Sequence, residues 1–238
     1  MARAVKPLVK GAPAGEPSDG RRARGMRSRA AVIERAVQMA SRDGMEGLTL
    51  GALAAELGVN KSSVFALFGS KEELQLATLA AARQILVEQV IAPALSSPEG
   101  LPRLLAIGRA WSGYLGADVF AGGCFLCAAS AEMDGRPGPV RDAVADVMRE
   151  WLAVLRANVK AAVAAGELPA DVDPAGMAFR LNALGMAANW QRQLFGDQAG
   201  IRHMRAAWQT ELGAGAKPGA NAKQGAAAKP GAVTEPGT

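Results

Sequence analysis

An all-α fold is predicted by three features of this 238-residue chain: alanine is abundant, aromatics make up only 5%, and apolar residues recur every three or four positions. Alternation of period two does not run for more than a few residues between positions 26 and 212, so no strand is expected there. Half of the residues are apolar and 21% are charged, enough for a packed core. Residues 1–25 and 213–238 mix Gly, Pro, Ala and basic residues without periodicity, and both are expected to be disordered. Between them the expected architecture is a three-helix unit over residues 26–75 and a larger helical domain over 76–212, about nine helices in all.

The first helix is expected from Met26 to Ser41, with Val32, Ile33, Ala36, Val37, Met39 and Ala40 on its apolar face and Gly44 as a left-handed stop. Thr49 can cap a second helix that buries Leu50, Leu53, Ala54 and Leu57 before Gly58 breaks it. Asn60 can cap a third, reaching Phe68, with Val64 and Phe68 inward and Lys61, Ser62, Ser63 and Ala66 outward. Ser70 and Glu73 have the spacing of a capping box, which opens a fourth helix from Lys71 towards Ile91, stopped by Pro93. Pro102 starts a fifth reaching Leu115, and an apolar sixth is expected from Asp118 to Met133. Pro139 opens a long seventh to Ala165; Asp173 and Pro174 are cap and first residue of an eighth ending at Leu194; a ninth runs from Gln198 to Leu212.

Charge is unevenly placed. Of a formal net charge of +5, the first thirty residues hold eight basic side chains against Glu16 and Asp19, and the remainder of the chain is close to neutral. A basic end of this kind points to an anionic partner, nucleic acid before a membrane surface. No stretch is long and apolar enough for a spanning helix, no apolar segment of a secretory signal follows the basic start, and two cysteines suit a reducing cytoplasm. Helices two and three are short, joined by a glycine turn and flanked by packed helices, the layout of a helix-turn-helix. The second of such a pair needs an apolar back and a front of small polar or basic groups that can approach base edges and phosphates. Val64 and Phe68 supply the back, Lys61, Ser62 and Ser63 the front, and Thr49 and Lys71 stand at helix starts whose N–H groups favour phosphate.

The run from Val32 through Gly44, the segment Gly47-Leu-Thr-Leu, and Leu53-Ala-Ala-Glu-Leu-Gly-Val-Asn-Lys-Ser-Ser-Val-Phe-Ala-Leu-Phe-Gly-Ser-Lys-Glu-Glu-Leu74 resemble the N-terminal domain of the tetracycline-repressor (TetR) family of bacterial transcription regulators. The resemblance covers roughly residues 27–75. It implies an all-helical homodimer, usually a repressor, whose C-terminal domain binds a small inducer and moves two DNA-reading heads apart. By position it places Thr49, Lys61, Ser62, Ser63, Phe65 and Lys71 against operator DNA. Three departures reduce the polar arms for base readout: Phe65 replaces a frequent Tyr, Ala66 and Leu67 replace larger polar or aromatic residues, and Gly51 replaces a frequent Arg. The basic arm around Arg21, Arg22, Arg24, Arg27 and Arg29 is expected to compensate by gripping phosphates or the minor groove, the competing reading being a solvated tail.

Beyond Leu74, the stretch Ala121-Gly-Gly-Cys-Phe-Leu-Cys and Gly138-Pro-Val-Arg-Asp142 resemble one group within that family. Trp111, Tyr114, Phe120, Phe125, Met148 and Trp151, with Met133, are the candidate walls of an effector pocket, the competing reading being plain core; so few charges nearby favour a mostly hydrophobic effector. Phe179, Met186, Trp190, Ile201, Met204 and Trp208 are candidate dimer contacts on the last two helices, and an isologous dimer would set two reading helices about 34 Å apart on a palindromic operator. Cys124 and Cys127 form a C-x-x-C in the longest uncharged stretch. With His203 the single histidine and no second cysteine pair, neither a metal site nor another cofactor is expected. Burial there predicts structural thiols of raised pKa; a thiol-based redox sensor or enzyme is the competing function. No paired carboxylates, nucleophile elbow or phosphate loop marks an enzyme. A structural, sequence-independent DNA binder without an effector is the third reading.

Overall fold

Apolar stripes at helical spacing become nine helices in a computed structural model that describes residues 19–213, with side chains from residue 29 onward. The helices are α1 (Asp19–Gly47), α2 (Leu50–Leu57), α3 (Lys61–Phe68), α4 (Lys71–Leu86, prolonged through Ala94), α5 (Leu101–Gly116), α6 (Phe125–Met133), α7 (Pro139–Ala164), α8 (Pro174–Phe195) and α9 (Ala199–Glu211). Among the described residues there is no strand. α1, α2 and α3 pack as a small unit against the start of α4, while α5 to α9 wrap a second core, with α8 lying on both α7 and α9.

Four expectations require correction. α1 starts at Asp19, so residues 19–25, expected to be disordered, are helical; Arg21, Arg22, Ala23 and Arg24 are strong helix formers that extend the stripe outward. Residues 1–18 and 214–238 lie outside the described part. Gly44 does not end α1 in the left-handed helical region: at φ 81° and ψ 165° it kinks the helix, which resumes for one turn to Gly47. The kink is filled by Glu132 of α6, whose carboxylate accepts from the Met45 and Glu46 N–H groups at 2.7 and 2.8 Å.

Pro93 does not stop α4. The helix widens over Val87–Ile91, where the Ala92 N–H reaches back five residues to the Val87 carbonyl, and it then continues as α-helix over Ala92–Ala94. A π turn of this kind relieves the clash between a proline ring and the carbonyl four residues before it. The sixth helix begins at Phe125 rather than Asp118. The backbone of 117–124 is instead claimed by other helices: the Ala121 and Gly122 N–H groups donate to Gln38 Oε1 and Ser41 Oγ on α1 at 3.0 and 2.8 Å, and the Cys124 N–H donates to Asn189 Oδ1 on α8 at 2.8 Å.

Candidate nucleic-acid interface

Helix α3 is anchored from behind. Val64 and Phe68 are buried, Leu67 is half-buried, and Lys61, Ser62, Ser63, Phe65 and Ala66 face outward. Phe65 is 56% exposed, so its ring is not core. Gly58 makes the turn into α3 in the left-handed conformation, φ 65° and ψ 30°, which a side chain resists. Thr49 caps α2 as expected, its hydroxyl accepting from the Ala52 N–H at 3.0 Å, so its oxygen is held at the helix start.

Asn60 is a residue whose role the sequence reading placed wrongly. It occupies the first cap position of α3, but its side chain caps nothing; the Ser63 N–H donates to the Asn60 backbone carbonyl instead. That leaves an exposed amide at the tip of the reading helix, a group suited to the paired donor and acceptor of an adenine edge. Its signal in the sequence was overwritten by the strong preference of asparagine for caps.

The basic candidates separate into three groups. Lys61 is exposed and has no acidic partner among the described residues. Lys71 stands at the start of α4 but is held 2.9 Å from Glu46, and Arg136 reaches the same carboxylate at 4.0 Å; Lys71 is the first cause that holds the Glu46 carboxyl below its usual range. Arg29 lies with its guanidinium 5.0 Å from the centre of the Phe68 ring, a cation–π contact that ties α1 to the back of α3. The side chain of Arg27 lies outside the described residues, as do those of Arg21, Arg22 and Arg24.

In the second core the candidate pocket residues divide. Trp111 and Trp151 meet edge to face at 4.8 Å and, with Met148, Leu86, Cys124 and Cys127, line a narrow cavity of only about 10 Å³. Tyr114, Phe120 and Phe125 form a separate aromatic stack off that cavity, with ring centres 6.0 Å apart at each step. They are core, as is Met133. Trp111 Nε1 is buried with no hydrogen-bond partner, whereas Trp151 donates to Asn182 Oδ1 at 3.0 Å. A groove of about 310 Å³ between the π turn and α7 shares Leu86 and Trp151 with the narrow cavity. Another concavity, about 400 Å³ between α5 and α9, is edged by Arg109 and Arg205 and was not foreseen.

Of the dimer candidates, Ile201, Met204 and Trp208 point into the protomer's own core, where Trp208 donates to the Leu104 carbonyl at 3.0 Å. They are unavailable to a partner, because α9 packs its whole apolar stripe on α5 and α8. Phe179 and Trp190 remain 70% and 60% exposed on α8, joined by Leu194 and Phe195, and Met186 is half-buried.

Cys124 and Cys127 are both free and buried. Cys124 is the residue before the first turn of α6 and Cys127 lies within that turn. The expectation that burial raises both thiols holds for Cys127 alone. Cys124 is held down to about 7, chiefly by a hydrogen bond from the Cys127 thiol and further by the Cys127 N–H, the Tyr114 hydroxyl and the Leu126 N–H, which together outweigh burial.

The pattern described as "Bacterial regulatory proteins, tetR family" matches residues 32–78, and that described as "Tetracyclin repressor-like, C-terminal domain" matches residues 100–208. The chain belongs to the TetR family of bacterial transcription regulators. It is therefore a DNA-binding regulator and not an enzyme. A TetR transcriptional regulator from Chloroflexus aurantiacus shares the fold at a TM-score of 0.75 and 22% identity, over 80% of this chain and 96% of its own. The TetR regulator CifR, solved with a 26-base-pair operator, matches at 0.65 and 23% identity, over 78% and 95% of the two chains. AibR, solved with isovaleryl coenzyme A and operator DNA, matches at 0.65 and 18%, over 76% and 96%. No curated protein matches in sequence. Among the described residues no helix is long and apolar enough to cross a membrane.

Proposed function

We propose that this TetR-family regulator is a cytoplasmic homodimeric repressor, released from a palindromic operator by a small, mostly hydrophobic effector. The observation that carries the reading is the pairing of two unsatisfied surfaces: the polar front of α3, and the exposed apolar face of α8 with Phe179, Trp190, Leu194 and Phe195. Four large apolar side chains on one helix leave surface that a soluble monomer rarely exposes, and a two-fold partner covers it. Asn60, Lys61, Ser62, Ser63 and Phe65 meet base edges and phosphates, with Thr49 and Lys71 at the flanking helix starts and Arg27 and Arg29 behind them.

Support for an uncharged effector comes from the interior. The walls around Trp111, Met148 and Trp151 carry no acidic or basic side chain, and the unpartnered Trp111 Nε1–H suits a ligand with one acceptor oxygen on an apolar body. Since the cavity holds only about 10 Å³, the effector has to displace Leu86 and Trp151 from the wall shared with the groove beside the π turn. AibR and CifR, solved on operator DNA, and AibR's acyl coenzyme A ligand are consistent with this division of labour.

Selection of bound sequences from a random DNA pool with the full chain tests the reading. A single inverted repeat with half-sites one helical turn apart, bound by two chains in sedimentation, is the expected result. Enrichment of no sequence would favour the structural DNA binder and overturn the proposal.

A further inference from the structure

The segment 117–124 is a bridge held at both ends. From α1, Gln38 and Ser41 hold Val119, Ala121 and Gly122: Gln38 Nε2 donates to the Val119 carbonyl at 2.9 Å and accepts from Ala121, and Ser41 accepts from Gly122. From α8, Asn189 accepts from the Cys124 N–H and Arg192 pairs with Asp118 at 2.5 Å. There is no slack at the α1 end, since a Cβ on Gly122 would sit 1.8 Å from the Ser41 carbonyl oxygen. At the α8 end a Cβ on Gly123 would fall 2.6 Å from Asn189 Oδ1. The bridge thus connects the reading unit to the helix that carries the exposed apolar face, and its last residue is Cys124.

We propose that Cys124 and Cys127 are an oxidation site: a hydroperoxide converts them to an intramolecular disulfide that draws the bridge off α1 and weakens operator binding. Four observations carry it. The cysteines are three residues apart at the start of one helix, Cys124 as its cap residue and Cys127 in its first turn. Both are free, and no third cysteine competes for either. Cys127 lines an open groove of about 630 Å³ between α6 and α8, with Gly122 and Asn189 also on its wall, which gives a small oxidant a path. Trp190 and Leu194 share that groove with the face assigned to the partner, so the path favours a hydroperoxide over a bulky disulfide.

The chemistry balances. The Cys124 thiolate attacks the O–O bond of ROOH, giving the sulfenic acid and the alkoxide, which takes up the proton released on thiolate formation and leaves as ROH. Cys127 sulfur then attacks the sulfenic sulfur; its proton leaves with the displaced hydroxide as water. Two thiols are oxidised to one disulfide and one hydroperoxide is reduced. Closing the disulfide re-orients Cys124, the extended cap residue whose own N–H is held by Asn189 and which lies two residues after Gly122, held by Ser41, so the bridge contacts are the ones that give way.

The link to operator release rests on the repressor reading above; the disulfide and the loosened bridge do not, and the measurements separate them. The full chain is treated with hydrogen peroxide and then dithiothreitol. Expected are loss of two hydrogens per chain with no cross-linked dimer, and about tenfold faster amide exchange at Ala121, Gly122 and Cys124, both reversed by the dithiol. Affinity for the selected palindrome should fall about tenfold in the oxidised form and recover on reduction, while the Cys124→Ala/Cys127→Ala double variant should ignore peroxide. An intermolecular or mixed disulfide, or an intramolecular one that leaves those amides protected, overturns the proposal. A peroxide response retained by the double variant does so as well.

Discussion

At Gly122, substitution by alanine would place a methyl group inside the Ser41 backbone, so the bridge must leave α1 or α1 must bend. A loss of about 2–3 kcal/mol in urea unfolding is expected, the usual cost of overpacking a tight contact. Lys61 and Lys71 differ in another way. With no acidic partner, Lys61 is available to phosphate, so Lys61→Gln should flatten the slope of log affinity against log salt by about one unit. Lys71 is shared with Glu46, and Lys71→Gln should change the slope less. For Cys124, a thiol held down to about 7 is mostly thiolate above that pH and mostly thiol below it. Its alkylation rate should therefore rise through a midpoint near 7 instead of the ordinary value of about 8.5. Because its pKa is depressed on folding, its contribution to stability is present at higher pH and fades as pH falls through 7.

Helix ends in this protein are stitched by side chains from distant helices, and these stitches join the two cores. Glu132 of α6 caps the kink in α1, and Glu167, just beyond α7, accepts from the Leu101 N–H at the start of α5 at 2.8 Å. Charge-assisted bonds to backbone N–H groups exceed ordinary hydrogen bonds, so Glu132→Ala should cost about 1.5–3 kcal/mol. Amide exchange at Met45 and Glu46 would show whether the loss is local. In α4, the π turn over Val87–Ile91 forms a wall of the groove beside Trp151, so the widening that accommodates Pro93 also shapes the path proposed for the effector. Pro93→Ala should let α4 close into regular α-helix, visible as a shift of Val87 and Ile91 in a crystal structure, and should lower effector sensitivity without touching α3.

For the whole molecule, the exposed face of α8 is the surface on which the proposed dimer is tested. Trp190→Glu combined with Phe179→Glu should give a monomer in sedimentation and a half-site affinity for DNA lost in proportion, with unfolding little changed because neither side chain is core. Local chemistry in the sequence was enough for seven of the nine helices to within a few residues: caps such as Asp173, which accepts from Ala175 and Gly176, and stops such as Gly58 act within one turn. The front and back of α3 were legible for the same reason, since an eight-residue helix has only one way to bury Val64 and Phe68. Other features depended on what packs where. Periodicity identifies an apolar face on α9 but not its occupant, and the neighbouring α5 and α8 claimed Ile201, Met204 and Trp208 before any partner could. Apolar composition made 118–124 look helical, yet Gln38, Ser41 and Asn189, which take its N–H groups, lie 65 to 83 residues away in the chain. The sequence by itself thus determined the family, most of the helices and the two sides of α3, because those follow from contacts within a turn or two. Tertiary structure alone decided the bridge, the narrow cavity and the split between the two thiols, because each depends on which distant group packs against or satisfies a buried one.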